Sequence, residues 1–107
     1  MQEVTVKQID EWIQQQEIVC LYVYTPMCGT CQLAKRMLDV VEQLFPDIPF
    51  YRADINYMPE RAEEWQIESV PCLLLFQNGS QKKKIYAFHS VPYLYEVIQK
   101  FQEHRHR

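Results

Sequence analysis

The 107-residue chain is predicted to fold as an α/β protein: a central mixed sheet, with parallel strands and an antiparallel hairpin, flanked by helices. Three features predict it. Helix-like and strand-like stretches alternate along most of the chain, as crossover connections require. Ile18 to Tyr24 is an unbroken apolar and aromatic run, the pattern of a strand buried on both faces. Asn78-Gly79, between two further strand-like stretches, is a hairpin signal.

The elements follow in order. Thr5 to about Gln15 reads as a helix, with Thr5 and Gln8 at capping-box spacing and Val6, Ile9 and Ile13 on one face. Only Met1 to Val4 precede it, so a leading strand is absent or very short. After the Ile18–Tyr24 strand, a second helix begins within Cys28-Gly29-Thr30-Cys31. Its apolar positions are Leu33, Ala34, Met37, Leu38, Val41, Leu44 and Phe45, and Pro46 ends it. Phe50 to Ile55 reads as a strand, and Glu60 to Trp65 as a short helix behind Pro59. Cys72 to Phe76 is the next strand, and Ile85 to Phe88 its antiparallel partner across the Asn78-Gly79 turn. A last helix starts near Ser90 and buries Leu94, Val97, Ile98 and Phe101, then frays into a polar tail holding His104 and His106. Residues 1–107 are expected to form a single domain.

Composition narrows the function. Apolar residues make up 48% of the chain, enough for a core without disulfide staples, and the formal net charge is −3. The balance carries no nucleic-acid footprint; Lys82-Lys83-Lys84 reads as a solvated strand edge. No apolar stretch reaches membrane-span length and no secretory signal is visible at the N-terminus, so a cytoplasmic location is expected. In that compartment paired cysteines are more often catalytic or metal-binding than structural.

Cys28 and Cys31 carry the chemistry. Disulfide exchange needs a thiolate that attacks and a second thiol that resolves the mixed disulfide. Cysteines three positions apart at a helix start are close enough to bridge, and the helix's free N–H groups favour a thiolate on the first. Cys28 is read as the attacking thiol and Cys31 as the resolver. Gly29 lets a partner's backbone approach, while Lys35 and Arg36 add positive charge one turn along. The competing reading is a zinc site, but Cys20 and Cys72 do not supply a second ligand pair at matching spacing, and no metal is assigned.

Met27-Cys28-Gly29-Thr30-Cys31 and, later, Glu68-Ser69-Val70-Pro71-Cys72-Leu73-Leu74-Leu75-Phe76 followed by Asn78-Gly79 together resemble the thioredoxin family, over nearly the whole chain. The resemblance implies a thioredoxin-like fold and a cis proline at Pro71 that faces the cysteine pair. It also implies that Val70 presents its backbone to a substrate strand, so Met27, Gly29, Thr30, Val70 and Pro71 are the expected substrate-binding residues. The implied partners are protein disulfides and a flavin-containing thioredoxin reductase. The protein is expected to be a monomer without a bound cofactor, because the cysteines themselves carry the electrons.

The chain departs from the family pattern in places. Met27 stands where a tryptophan is usual, which predicts a more adaptable substrate-facing surface. Thr30 replaces the proline between the cysteines, which predicts a potential above about −270 mV. Tyr22 replaces a buried acid; a phenol is a poor base near neutral pH, so the Cys31 proton must go to water or another group. Arg52 takes a lysine's place and Ala87 a glycine's. Cys72, next to Pro71, is read either as an accessory thiol close to Cys28 and Cys31 or as a small core side chain; Cys20 is read as core.

These observations predict a thiol–disulfide oxidoreductase acting on protein disulfides through Cys28 and Cys31. The alternative is a thioredoxin-fold binding module or redox sensor using the same pair as a switch. A glutaredoxin-type enzyme is disfavoured, since the chain lacks the paired glycines and following acid of those relatives.

Overall fold

The computed structural model describes residues 1–104. Its elements are β1 (Gln2–Glu3), α1 (Val6–Gln15), β2 (Ile18–Tyr24), α2 (Gly29–Gln43), β3 (Phe50–Asp54), α3 (Pro59–Glu64), β4 (Cys72–Gln77), β5 (Ser80–Ile85) and α4 (Val91–Glu103). The strands form one sheet in the order β1-β3-β2-β4-β5. β1, β3 and β2 run parallel, while β4 is antiparallel to β2 and β5 to β4. The mixed sheet is as the sequence predicts, and β1 is a two-residue strand.

β2 is central, and its side chains alternate between two cores. Ile18, Cys20 and Tyr22 face one, with Ala34, Leu38 and Val41 of α2 and Leu94 and Ile98 of α4. Val19, Leu21 and Val23 face the other, with Ile9 and Ile13 of α1. Both faces of β2 are thus covered, which is why its sequence is apolar throughout.

The helix starts follow the expected chemistry. Thr5 Oγ1 accepts from the Gln8 N–H at 3.2 Å and Gln8 Oε1 accepts from the Thr5 N–H at 2.9 Å, closing the capping box. Ser90 Oγ caps α4 by accepting from the Tyr93 N–H at 3.2 Å. Pro59 occupies the first turn of α3, where its missing N–H costs nothing.

Two expectations need correction. The partner of β4 is Ser80–Ile85, not Ile85 to Phe88. Asn78 (φ 50°) and Gly79 (φ 84°) form a two-residue turn, so the chain returns at once and Gln77 pairs with Ser80. The polar run that follows hides a strand, because β5 is a sheet edge with one face toward solvent. Ile55, which the sequence reading placed at the end of the strand, instead opens a one-turn 3-10 helix over Ile55–Tyr57; Asp54 caps it, its carboxylate accepting from the Asn56 N–H at 2.9 Å. His106 lies outside the described residues.

Candidate active site

β2 delivers the chain to the site. After Tyr24 it turns through Thr25, Pro26 and Met27, and α2 begins at Gly29 with Cys28 as its N-cap. Cys28 has extended backbone (φ −114°, ψ 115°), so its Sγ points back over the first turn and accepts from the Cys31 N–H at 3.2 Å. Thr30 Oγ1 lies 3.1 Å from the same sulfur. Cys31, one turn inside the helix, is 3% exposed. All four cysteines are free thiols.

The two thiols are electrostatically unequal. Hydrogen bonding from the Cys31 thiol, then from the Thr30 hydroxyl, holds the Cys28 thiol below its ordinary range, with backbone N–H groups helping. Burial raises Cys31, and so does its donation to Cys28. Lys35, expected to lend positive charge to Cys28, is instead paired with Asp39 at 2.8 Å.

Around this pair, Met27 is 94% exposed and Thr30 is exposed. A side chain added at Gly29 would meet nothing in the chain, so the surface there is open. The Val70–Pro71 peptide bond is cis. In the β2–β4 ladder Val23 pairs with Cys72, so the preceding Pro71 emerges at the same end of the sheet as the Cys28 turn. Val70 and Cys28 both pack against the core that contains Cys31.

Cys72 departs from the accessory-thiol reading. It is fully buried in the opposite core, with Val19, Leu21 and Val23, whereas Cys31 belongs to the core across the sheet. Successive β4 side chains alternate, so adjacency to Pro71 in sequence sends Cys72 through the sheet and away from the pair. Burial pushes its thiol up to about 12. Cys20 is likewise buried, and burial raises its thiol strongly. Among the described residues no three His, Cys, Asp or Glu side chains converge as a metal site.

Sequence reasoning read Tyr22 only as a poor base in an acid's place, and it missed Lys84 and Tyr86 as positioning side chains. Tyr22 is 1% exposed, and its hydroxyl donates to the Cys31 carbonyl oxygen. Lys84 Nζ donates to the Trp65 and Gln66 carbonyls at 3.0 and 2.7 Å. Tyr86 Oη accepts from the Glu68 N–H at 3.0 Å and donates to the Gln66 carbonyl at 3.3 Å. Lys84 and Tyr86 thereby pin the segment that leads to Pro71. Nothing in the local pattern marks these contacts; they arise from strand pairing that brings distant residues together.

A family model described as Thioredoxin matches residues 1–100. The chain belongs to the thioredoxin family. It is 56% identical over 82 residues to Thioredoxin-like protein YusE of Bacillus subtilis (strain 168), covering 77% of each chain. It is 28% identical over 81 residues to Thioredoxin-1 of Saccharomyces cerevisiae, covering 76% of this chain and 79% of that one. A solved Plasmodium falciparum thioredoxin superposes with a TM-score of 0.85 at 22% identity, covering 94% of this chain and 99% of that one. That likeness shows the fold. As a member of the thioredoxin family, the protein is a thiol–disulfide oxidoreductase. No helix among the described residues is long and apolar enough to cross a membrane.

Proposed function

We propose that this thioredoxin-family protein reduces or exchanges disulfides in client proteins, with Cys28 attacking and Cys31 resolving. The asymmetry of the two thiols carries the assignment. Cys28 is partly exposed, capped by N–H and O–H donors and biased toward thiolate; Cys31 is buried and biased toward thiol. The Cys28 thiolate attacks a client disulfide, forming a Cys28–client bond and releasing one client thiolate. Cys31 then loses its proton and attacks Cys28 Sγ, forming the Cys28–Cys31 disulfide and expelling the second client thiolate. Two electrons pass from the pair to the client.

Met27, Gly29, Thr30, Val70 and Pro71 form the proposed client surface. Supporting this, Met27 and Thr30 are exposed, Gly29 leaves room for an approaching backbone, and the Pro71 turn shares their end of the sheet. A thioredoxin reductase is the proposed recharging partner, and a cytoplasmic monomer the proposed working form. Thr30 in place of a proline supports a potential above about −270 mV.

The test combines the two single cysteine variants with insulin as the disulfide client. Cys31→Ser is expected to accumulate a mixed disulfide on Cys28, visible by intact mass, and Cys28→Ser to accumulate none and to lose turnover. Turnover by Cys28→Ser at the wild-type rate would overturn the assignment.

A further inference from the structure

Tyr22 is the buried polar side chain closest in role to the resolving thiol, and the disulfide chemistry above leaves it without a task. Its ring is fixed by stacking on Tyr24, with centroids 5.6 Å apart, and by an edge contact with Phe88 at 6.2 Å. The hydroxyl is thereby aimed at the first turn of α2, where it donates to the Cys31 carbonyl. That carbonyl lies inside α2, where helix geometry already provides the Lys35 N–H as partner. The phenol's donation is a second bond to the same oxygen, and giving it up leaves no orphan acceptor.

Resting on the assignment of Cys31 as resolver, we propose that Tyr22 is a positioning residue for the resolution step. Its hydroxyl turns from the Cys31 carbonyl to the Cys31 sulfur as that sulfur ionises and attacks. Tyr22 and Cys31 line one small pocket, and the phenol's influence on the Cys31 thiol favours the thiolate. Burial, followed by the neighbouring Cys31, raises the phenol well above its ordinary value, so it remains a donor across the working pH range.

The other groups around the thiol fit this role. A pocket of about 110 Å³ beside Cys31 is lined by Tyr22, Tyr24, Gln32, Lys35 and Arg52. Lys35 is engaged by Asp39, and Glu3 takes both the Tyr24 hydroxyl at 2.6 Å and Arg52 Nε at 2.9 Å. The Arg52 contact is one of charge, since Nε has no well-aligned acceptor. Among the described residues no carboxylate lines the pocket, so in this proposal the Cys31 proton leaves to solvent through it and Tyr22 stabilises the anion left behind. Atoms balance: the sulfur gives its proton to water, the Cys28–Cys31 bond forms, and the Cys28–client bond breaks with the client thiolate departing.

The experiment follows the reduced full-length protein reacting with Ellman's reagent by stopped flow, across pH. Attack by Cys28 releases one nitrothiobenzoate and resolution by Cys31 releases the second. Tyr22→Phe keeps the ring and removes the donor. It is expected to leave the first phase unchanged, slow the second about tenfold near neutral pH, and move its alkaline limb upward. An unchanged second phase would overturn the proposal, and so would equal slowing of both phases, which is what loosened packing produces. If Tyr22→Phe fails to fold, wild-type protein grown on 3-fluorotyrosine substitutes for it. That stronger donor is expected to lower the limb of the second phase, and an unmoved limb is the overturning result. A Cys31→Ser control that still releases the second equivalent would instead sink the resolver assignment itself.

Discussion

Thr30 is a single hydroxyl whose removal separates two contributions to the Cys28 thiolate. Cys28 Sγ is approached by the Cys31 N–H and by Thr30 Oγ1, and both favour the anion. Thr30→Ala deletes only the second. Because the folded value of Cys28 lies below its ordinary one, a larger fraction is thiolate near neutral pH than for a free cysteine. Losing a donor raises that value again and lowers the fraction. Iodoacetamide alkylation of Cys28 in Thr30→Ala is therefore expected to be several-fold slower near neutral pH and to converge with wild type in alkali. Equal rates at all pH values would show that the Cys31 thiol and the N–H groups hold the thiolate without Thr30. The residue scale also marks the limit of the sequence. Cys28 and Cys31 were legible because their spacing alone puts one at a helix cap and the other a turn inside. The side Cys72 faces was not, since it depends on which way the strand enters the sheet.

Among the elements, β5 shows most clearly how context overrides composition. Ser80–Ile85 is mostly polar and gives no apolar run, yet the Asn78-Gly79 turn and the edge position make it a strand. Its Lys84 is not the solvated charge the sequence suggested. It is half-buried, and its ammonium ties down two carbonyls at the end of α3, where Gln66 adopts φ 55°. Lys84→Met keeps the stem and removes both bonds. The expected cost is about 1 kcal/mol of stability, at the low end for charge-assisted bonds because the site is partly wet. The Glu68 amide, held by Tyr86 next to this clamp, should exchange with solvent faster, while amides of β2 keep their protection. Hydrogen exchange followed by NMR checks this; uniform acceleration across the sheet would mean global rather than local loosening. The helices were easier to read, because Thr5 and Ser90 cap through their own side chains and the apolar spacing of each helix is local.

At the level of the whole molecule, one ion pair ties together α1 and α3. Arg61 reaches Asp10 with Nη2 to Oδ2 at 2.6 Å and Nε to Oδ1 at 2.8 Å. Hydrogen bonding from the guanidinium holds the Asp10 carboxyl below its ordinary range. A depressed carboxylate contributes stability above its unfolded value and loses it as pH falls through the folded value. The Asp10 side chain is 43% exposed, so screening limits the contribution to a fraction of 1 kcal/mol or about that. Arg61→Gln is thus expected to lower the urea midpoint slightly near about pH 6, with the difference from wild type closing in acid below the folded value. A difference that persists unchanged in acid would assign the loss to packing. The global fold, like the capping, was largely legible, since the order of periodic segments constrains the crossovers. Finally, the strand order leaves two open margins, β1 and β5. One is two residues long, and the other carries Lys82 and Lys83 outward, both exposed. Neither offers a second molecule a long, uncharged row of amides to zip onto, so crowding should not drive this carrier into fibres.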